Sequence, residues 1–243
     1  MRMGKMTIEW TKRLKARLFA YLLPLTAGIV MSCTQDGYDK GDSEYSNMRG
    51  DFVEAQIGNN KKIVSITTDD GDFFELAQPF SAQWIATPDT VYRCMLYYNK
   101  VRDSRGRYIA QVLSVGEIPC PKVVTLAELD SDMKTDPVKF ESAWLSKTGR
   151  YINLSFSLMT GSADDEKAIH SLRVVQDTIT TNQDGTRTSH LRLYHDQGGV
   201  PEYYSAQAYA SIITSQIPAD SASITINTYT GVVEKAFPLR NNR

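Results

Sequence analysis

Three histidines and three cysteines in 243 residues leave little from which to build a metal centre or a redox relay. No HExxH or Cys/His cluster is present, so the common zinc motifs are excluded. There is no GxSxG nucleophile elbow and no P-loop lysine pattern behind Gly198-Gly199. Long amphipathic helical periodicity, heptads and internal repeats are missing too, which removes bundles, coiled coils and solenoids. An apolar run of spanning length is also lacking. The apolar run Leu18 to Val30 carries no charge and is about thirteen residues long, where a membrane-crossing helix needs about twenty.

What is present begins with that short run. Arg2, Lys5, Lys12, Arg13, Lys15 and Arg17 precede it against a single acid, Glu9, and Val30-Met31-Ser32-Cys33 closes it. A basic region, a short apolar core and a small residue before a cysteine are the layout of a lipoprotein signal peptide. Val30 and Ser32 suit a lipobox, and Met31 is bulkier than usual. A thiol is required at Cys33 because its sulfur accepts the diacylglycerol; two or more chains then give stable anchoring. Cleavage elsewhere as an ordinary secretory signal is the plainer alternative. Removing residues 1–32 leaves a body of net charge about −6, against −1 for the whole chain, and an acidic body argues against nucleic acid as a partner.

The expected organisation is a signal peptide over 1–32, a flexible tether over 33–49, an OB-like β-barrel over 50–122, a linker over 123–136 and a β-sandwich over 137–243. The tether is rich in Asp, Gly, Ser and Asn, and its acids Asp36 and Asp39 follow the cysteine closely. From Asp51 onward short apolar runs alternate with turn residues. Asp69-Asp70-Gly71-Asp72 and Asn182-Gln183-Asp184-Gly185 read as hairpin turns. Five strands in about seventy residues suit a small closed barrel. In the second half Ile152, Leu154, Phe156 and Leu158 alternate with Asn153, Ser155 and Ser157, which predicts a strand with one buried and one wet face. Seven or so such strands predict an antiparallel sandwich, and the fold class is all-β. Val124 to Leu129 suits one short helical turn.

Cys33, the segment Ile66-Thr67-Thr68-Asp69-Asp70-Gly71-Asp72 and the stretch Ile224-Thr225-Ile226-Asn227-Thr228-Tyr229-Thr230-Gly231 together resemble the NigD-like family of Bacteroidetes lipoproteins. The resemblance implies an N-terminal OB-like domain, a C-terminal β-sandwich and an outer-membrane address, facing the periplasm or the cell surface. The family takes its name from a bacteriocin-associated locus, which implies immunity or envelope roles.

Candidate sites are few. Cys94 and Cys120 could pair in an oxidising envelope or remain buried thiols. Asp69, Asp70 and Asp72 offer oxygen ligands without EF-hand spacing and read as solvated turn acids; Asp164, Asp165 and Glu166 read as a loop. His170, His190 and His195 read as surface or strand-end residues, so no metal and no cofactor is expected. Lys100, Arg102, Arg105 and Arg107 beside Tyr97, Tyr98 and Tyr108 offer a cationic, aromatic hairpin tip. Tyr203, Tyr204 and Tyr209, with Trp84 and Trp144, offer a stacking surface for a glycan or an envelope protein. No catalytic set emerges. The sequence therefore points to a non-enzymatic, lipid-anchored binding module. A factor protecting against a bacteriocin-type toxin and a polysaccharide-acting enzyme are the alternatives.

Overall fold

The computed structural model describes residues 47–162 and 168–239. The expectations for Cys33, Asp36, Asp39, Asp164, Asp165 and Glu166 fall outside the described residues. The first domain is a closed barrel of β1 (Arg49–Ile57), β2 (Ile63–Thr68), β3 (Phe73–Phe80), β4 (Val91–Arg102) and β5 (Tyr108–Glu117), in the order β1-β2-β3-β5-β4. Its strands form because period-two patterning gives each an apolar side. On β1, Val53, Ala55 and Ile57 point inward beside Ile63, Ile66, Phe74, Leu96 and Ala110, while Gln56 is exposed. Antiparallel pairing of β1 with both β2 and β4, and a parallel contact of β3 with β5 at Leu76 and Ala110, close the ring and remove sheet edges. The β2–β3 turn needs a residue that tolerates positive φ, and Gly71 supplies it at +91°.

The second domain is built from β6 (Val123–Thr125), β7 (Lys139–Leu145), β8 (Tyr151–Thr160), β9 (Ser171–Thr181), β10 (Arg187–Asp196), β11 (Tyr204–Ile213), β12 (Ser221–Thr228) and β13 (Gly231–Pro238). A five-stranded sheet, β13-β12-β10-β9-β6, packs on a three-stranded sheet, β11-β8-β7. Ile152, Leu154 and Phe156 of β8 meet Val174, Leu191, Ile224 and Ile226 from the facing sheet, with Ile212 of β11 beside them. Burial of each such side chain stabilises by about 1.5–3 kcal/mol.

The layout of the second domain differs from expectation in several places. The stretch taken as a linker, 123–136, contributes β6 to the sandwich, so the second domain begins near residue 122. The helical turn expected over Val124 to Leu129 shrinks to a 3-10 turn at Leu126–Glu128. Glu128 fixes it by accepting the Thr125 N–H at 2.7 Å and the Thr125 hydroxyl at 2.9 Å. Finally, the five-stranded sheet is mixed, because β10 with β12 and β6 with β9 run parallel. The chain leaves β10, runs back along β11 in the opposite sheet, and re-enters beside β10 in its original direction. No α-helix occurs among the described residues.

Candidate functional site at the junction of barrel and sandwich

The wet face expected on β8 is covered. Asn153, Ser155 and Ser157 point away from the core yet are buried, the two serines to 5% and 6% exposure. Part of the cover is the barrel. On β4 the inward positions are Cys94 and Leu96, so Arg93 projects outward, into this face. Its Nη2 donates to Asp69 Oδ2 at 2.7 Å and to Asn153 Oδ1 at 3.0 Å, and its Nε donates to Ser211 Oγ at 3.2 Å. The guanidinium lies 4.0 Å from the Tyr151 ring centroid and 5.4 Å from that of Phe52. Asn153 Nδ2 donates back to Asp69 Oδ2 at 2.7 Å, and the Ser211 hydroxyl donates to Asn153 Oδ1 at 2.7 Å.

This buried cation is therefore held by residues of both domains. Further links surround it. Tyr151 donates its hydroxyl to Glu54 Oε1 at 2.7 Å, and Arg150 meets Glu54 Oε2 at 2.7 Å. Burial, then the bond to Glu54, raises the Tyr151 phenol above its ordinary range. Lys147 pairs with Asp70 at 2.8 Å, the Thr148 N–H donates to the Asp69 carbonyl, and the Ser211 N–H donates to the Pro119 carbonyl. An exposed ion pair such as Lys147–Asp70 contributes about 0–1 kcal/mol; removing one partner of a buried pair costs about 3–5 kcal/mol. Arg93 thus dominates the seam.

Beside this seam Phe52 of β1 stands edge-on to two rings of the sandwich, Trp144 at 5.2 Å and Tyr209 at 5.3 Å. A pocket of about 190 Å³ opens there, lined by Arg49, Gly50, Asp51, Phe52, Thr68, Asp69, Asp70 and Trp144. At Gly50 a Cβ would lie 3.0 Å from the Tyr97 ring, a tight contact that the glycine relieves. Asp51 accepts the buried Tyr98 hydroxyl at 2.8 Å, which fixes one wall of the pocket. On the same outer sheet face, a bulge between Phe140 and Ser142 re-aims Glu141. Its carboxylate accepts from Ser157 at 2.7 Å, Ser155 at 2.9 Å and Gln207 at 3.0 Å. Those hydroxyl donors, Ser157 first, hold Glu141 below the ordinary carboxylate range. The arrangement offers the half-buried Trp144 ring beside fixed acceptors, with Phe52 buried against it. No group of three or more metal-binding side chains exists among the described residues.

The residues singled out from sequence are divided by the fold. Tyr209 and Trp144 join the junction. Trp84 packs on Tyr92 in the barrel at 5.5 Å. Tyr203 and Tyr204 stand at the start of β11, 77% and 59% exposed. Arg102 lies on the Tyr108 ring and donates to its hydroxyl at 2.8 Å, Arg107 pairs with Asp103 and Glu75, and Arg105 is exposed on a turn organised by Asp103. The hairpin tip spends much of its positive charge on its own structure.

Cys94 and Cys120, weighed as a disulfide, are free thiols. Each sulfur is directed to a carbonyl on its own segment, Tyr92 O for Cys94 and Ile118 O for Cys120. Burial pushes Cys94 up to about 12 and Cys120 up to about 11, so both stay protonated. Asp69 is not a solvated turn acid, as its bonds to Arg93 and Asn153 show. His195 is not a surface residue: it is buried, with Nδ1 2.9 Å from the Asp136 carbonyl and Nε2 3.1 Å from His170 Nδ1. The two imidazole rings stack with centroids 5.3 Å apart. His190 instead meets Thr180 at 3.0 Å. Sequence reasoning missed Arg93, Phe52 and Glu141. The available signal for Arg93 was a charge inside the apolar run Val91 to Tyr98.

These features define a class, a two-domain β protein whose barrel and sandwich share a buried polar seam. Residues 122–235 match the NigD-like C-terminal beta sandwich domain, so the second domain is of that family. Solved structures share the fold. A NigD-like immunity protein from Bacteroides caccae is 21% identical with a TM-score of 0.61, covering 78% of this chain and 96% of its own. A candidate toxin-related protein from Parabacteroides distasonis is 16% identical with a TM-score of 0.58, covering 80% and 94%. A candidate lipoprotein from Bacteroides fragilis is 12% identical with a TM-score of 0.57, covering 81% and 100%. No functionally curated protein matches the sequence.

Proposed function

We propose that this protein is a non-enzymatic binding module of the cell envelope, anchored by acyl chains on Cys33, and that the junction pocket seats a saccharide unit of an envelope glycan. The observation that carries the reading is the pocket itself, where Phe52 and Trp144 lie beside the carboxylates of Asp51 and Asp70. Sugar C–H faces stack on aromatic rings while sugar hydroxyls donate to fixed acceptors, and such a site needs few polar groups in a mostly preformed cleft. The lipobox supports the anchoring, as does the likeness to a candidate lipoprotein. No helix among the described residues is long and apolar enough to cross a membrane.

Calorimetric titration with envelope glycan fragments tests the reading. Wild type should bind and Trp144→Ala should lose at least tenfold in affinity with its far-UV spectrum unchanged. Undiminished binding by the variant, or turnover of the glycan, would overturn it. A second reading is favoured by one finding, the likeness to a protein described as an immunity protein. It expects deletion of the gene to sensitise cells to a bacteriocin-type toxin, and unchanged sensitivity across a toxin panel counts against it.

A further inference from the structure

The barrel closes on itself, whereas the sandwich leaves four strand edges, which invite pairing with other chains unless they are guarded. Three of them are guarded. β13 carries Glu234, Lys235 and Pro238; β7 carries Lys139, Glu141 and a bulge; β6 is only Val123–Thr125. β11 is different. Its sequence, YSAQAYASII, holds no charge and no proline, and its pairing with β8 runs without irregularity from Tyr204–Thr160 to Ile213–Tyr151. Tyr204, Ser205, Ala206 and Gln207 are all exposed. The Ser211 N–H turns away from β8 to reach the Pro119 carbonyl, so by the period of two the main-chain groups of Ser205 and Gln207 also face outward. Among the described residues neither has a main-chain partner on that side.

We propose that β11 pairs antiparallel with β11 of a second copy of this chain, about a two-fold axis at Ala206, and so joins two three-stranded sheets into one. The strand is complementary to itself in this register. Ser205 falls opposite Gln207 of the second copy, and these two positions exchange main-chain hydrogen bonds in both directions. On the other face Tyr204 falls opposite Ala208, Ala206 opposite Ala206, and Ala208 opposite Tyr204. Each large ring thereby meets a small side chain, so the register sets no two bulky or like-charged groups against each other. No like charges meet, although the body as a whole is acidic. The closed interface is isologous, so growth stops at a dimer. The surface is separate from the junction pocket, and the proposal does not depend on what that pocket binds.

Cysteine cross-linking of the full chain in isolated envelopes tests it. The axis makes position 206 a non-hydrogen-bonded pair, the closest approach of two antiparallel strands. Ala206→Cys should give a disulfide-linked dimer on mild oxidation, and wild type should not. Adding Ser205→Pro should lower the yield at least tenfold. That substitution removes an outward N–H and leaves the β8 pairing intact, which an unchanged unfolding midpoint verifies. Absence of a dimer from Ala206→Cys overturns the proposal, as does an equal yield from Val232→Cys on the guarded β13 edge. Linkage of Ala206→Cys to a different polypeptide also overturns it in favour of a foreign strand. Sedimentation of the unsubstituted full chain in detergent is a reading that needs no variant; a dimer supports the pairing and a monomer throughout contradicts it.

Discussion

The interior of the sandwich and the seam between it and the barrel are both largely closed to water and are made of opposite materials. Leu154, Phe156, Leu191 and Ile224 fill the first with apolar side chains. Arg93, Asp69, Asn153 and Ser211 fill the second with groups that each need a partner at a set distance and angle. Both lie against β8, whose even-numbered residues face one and odd-numbered residues the other. The difference teaches what each region does. An apolar core is non-directional and tolerates exchange of similar volumes. A buried polar network stabilises little on balance, but it fixes geometry, because any displacement strands a buried charge. The seam holds Phe52 against Trp144 and Tyr209 and so sets the shape of the pocket.

That contrast can be broken by substitution. The largest effect is expected for Arg93→Ala, which strands Asp69 and Asn153 and should cost about 3–5 kcal/mol in urea unfolding. A loss under about 1 kcal/mol would mean water replaces the guanidinium freely. Next comes a matched pair of conservative changes. Leu154→Met should cost less than about 1.5 kcal/mol. Arg93→Lys, which keeps the charge but not the planar fork reaching Asp69, Asn153 and Ser211, should cost more than Leu154→Met. The reverse order would erase the distinction between the two regions.

Tyr151→Phe is milder. It removes one hydroxyl while Arg150 still holds Glu54, so about 1 kcal/mol should be lost with the ring still over Arg93.

The smallest effect is a pH dependence at His170, which stands beside His195 near the C-terminal end of β10. Burial, then the neighbouring His195, holds His170 below the ordinary imidazole value. The folded chain carries it neutral, whereas the unfolded chain takes up a proton near pH 6.5, at about the unperturbed value. Its contribution is therefore complete above that pH and is lost as the pH falls through the folded value. The thermal midpoint of wild type should fall between about pH 7.5 and about pH 5.5, and less steeply in His170→Gln. Parallel curves for the two proteins would remove His170 from the account.

Much of the fold was legible in the sequence, because period two and turn chemistry are local. The alternation from Ile152 to Leu158 placed β8, and Asp-Gly and Asn-Gln-Asp-Gly placed two hairpins. The mixed pairing of β10 with β12 was not legible, since strand direction depends on which sheet the intervening strand joins. Nor was β6, whose Val123–Thr125 is too short to show a period. The junction was half visible. Trp144 and Tyr209 stood out as aromatics, but sequence could not separate them from Trp84, Tyr203 and Tyr204. Arg93 and Asp69 are both barrel residues, and only the docking of the sandwich, with Asn153 and Ser211, explains why a turn acid and a strand arginine are covered together. The bulge in β7, equally invisible in sequence, turns Ser155 and Ser157 from a wet face into the support of Glu141.

The central claim is that a shared arginine makes barrel and sandwich one cooperative body. Scanning calorimetry of wild type and Arg93→Ala tests it most directly. The account predicts one endotherm with equal calorimetric and van't Hoff enthalpies for wild type, and two separated endotherms for the variant. Two endotherms already in wild type, or a single unshifted one in Arg93→Ala, would contradict it.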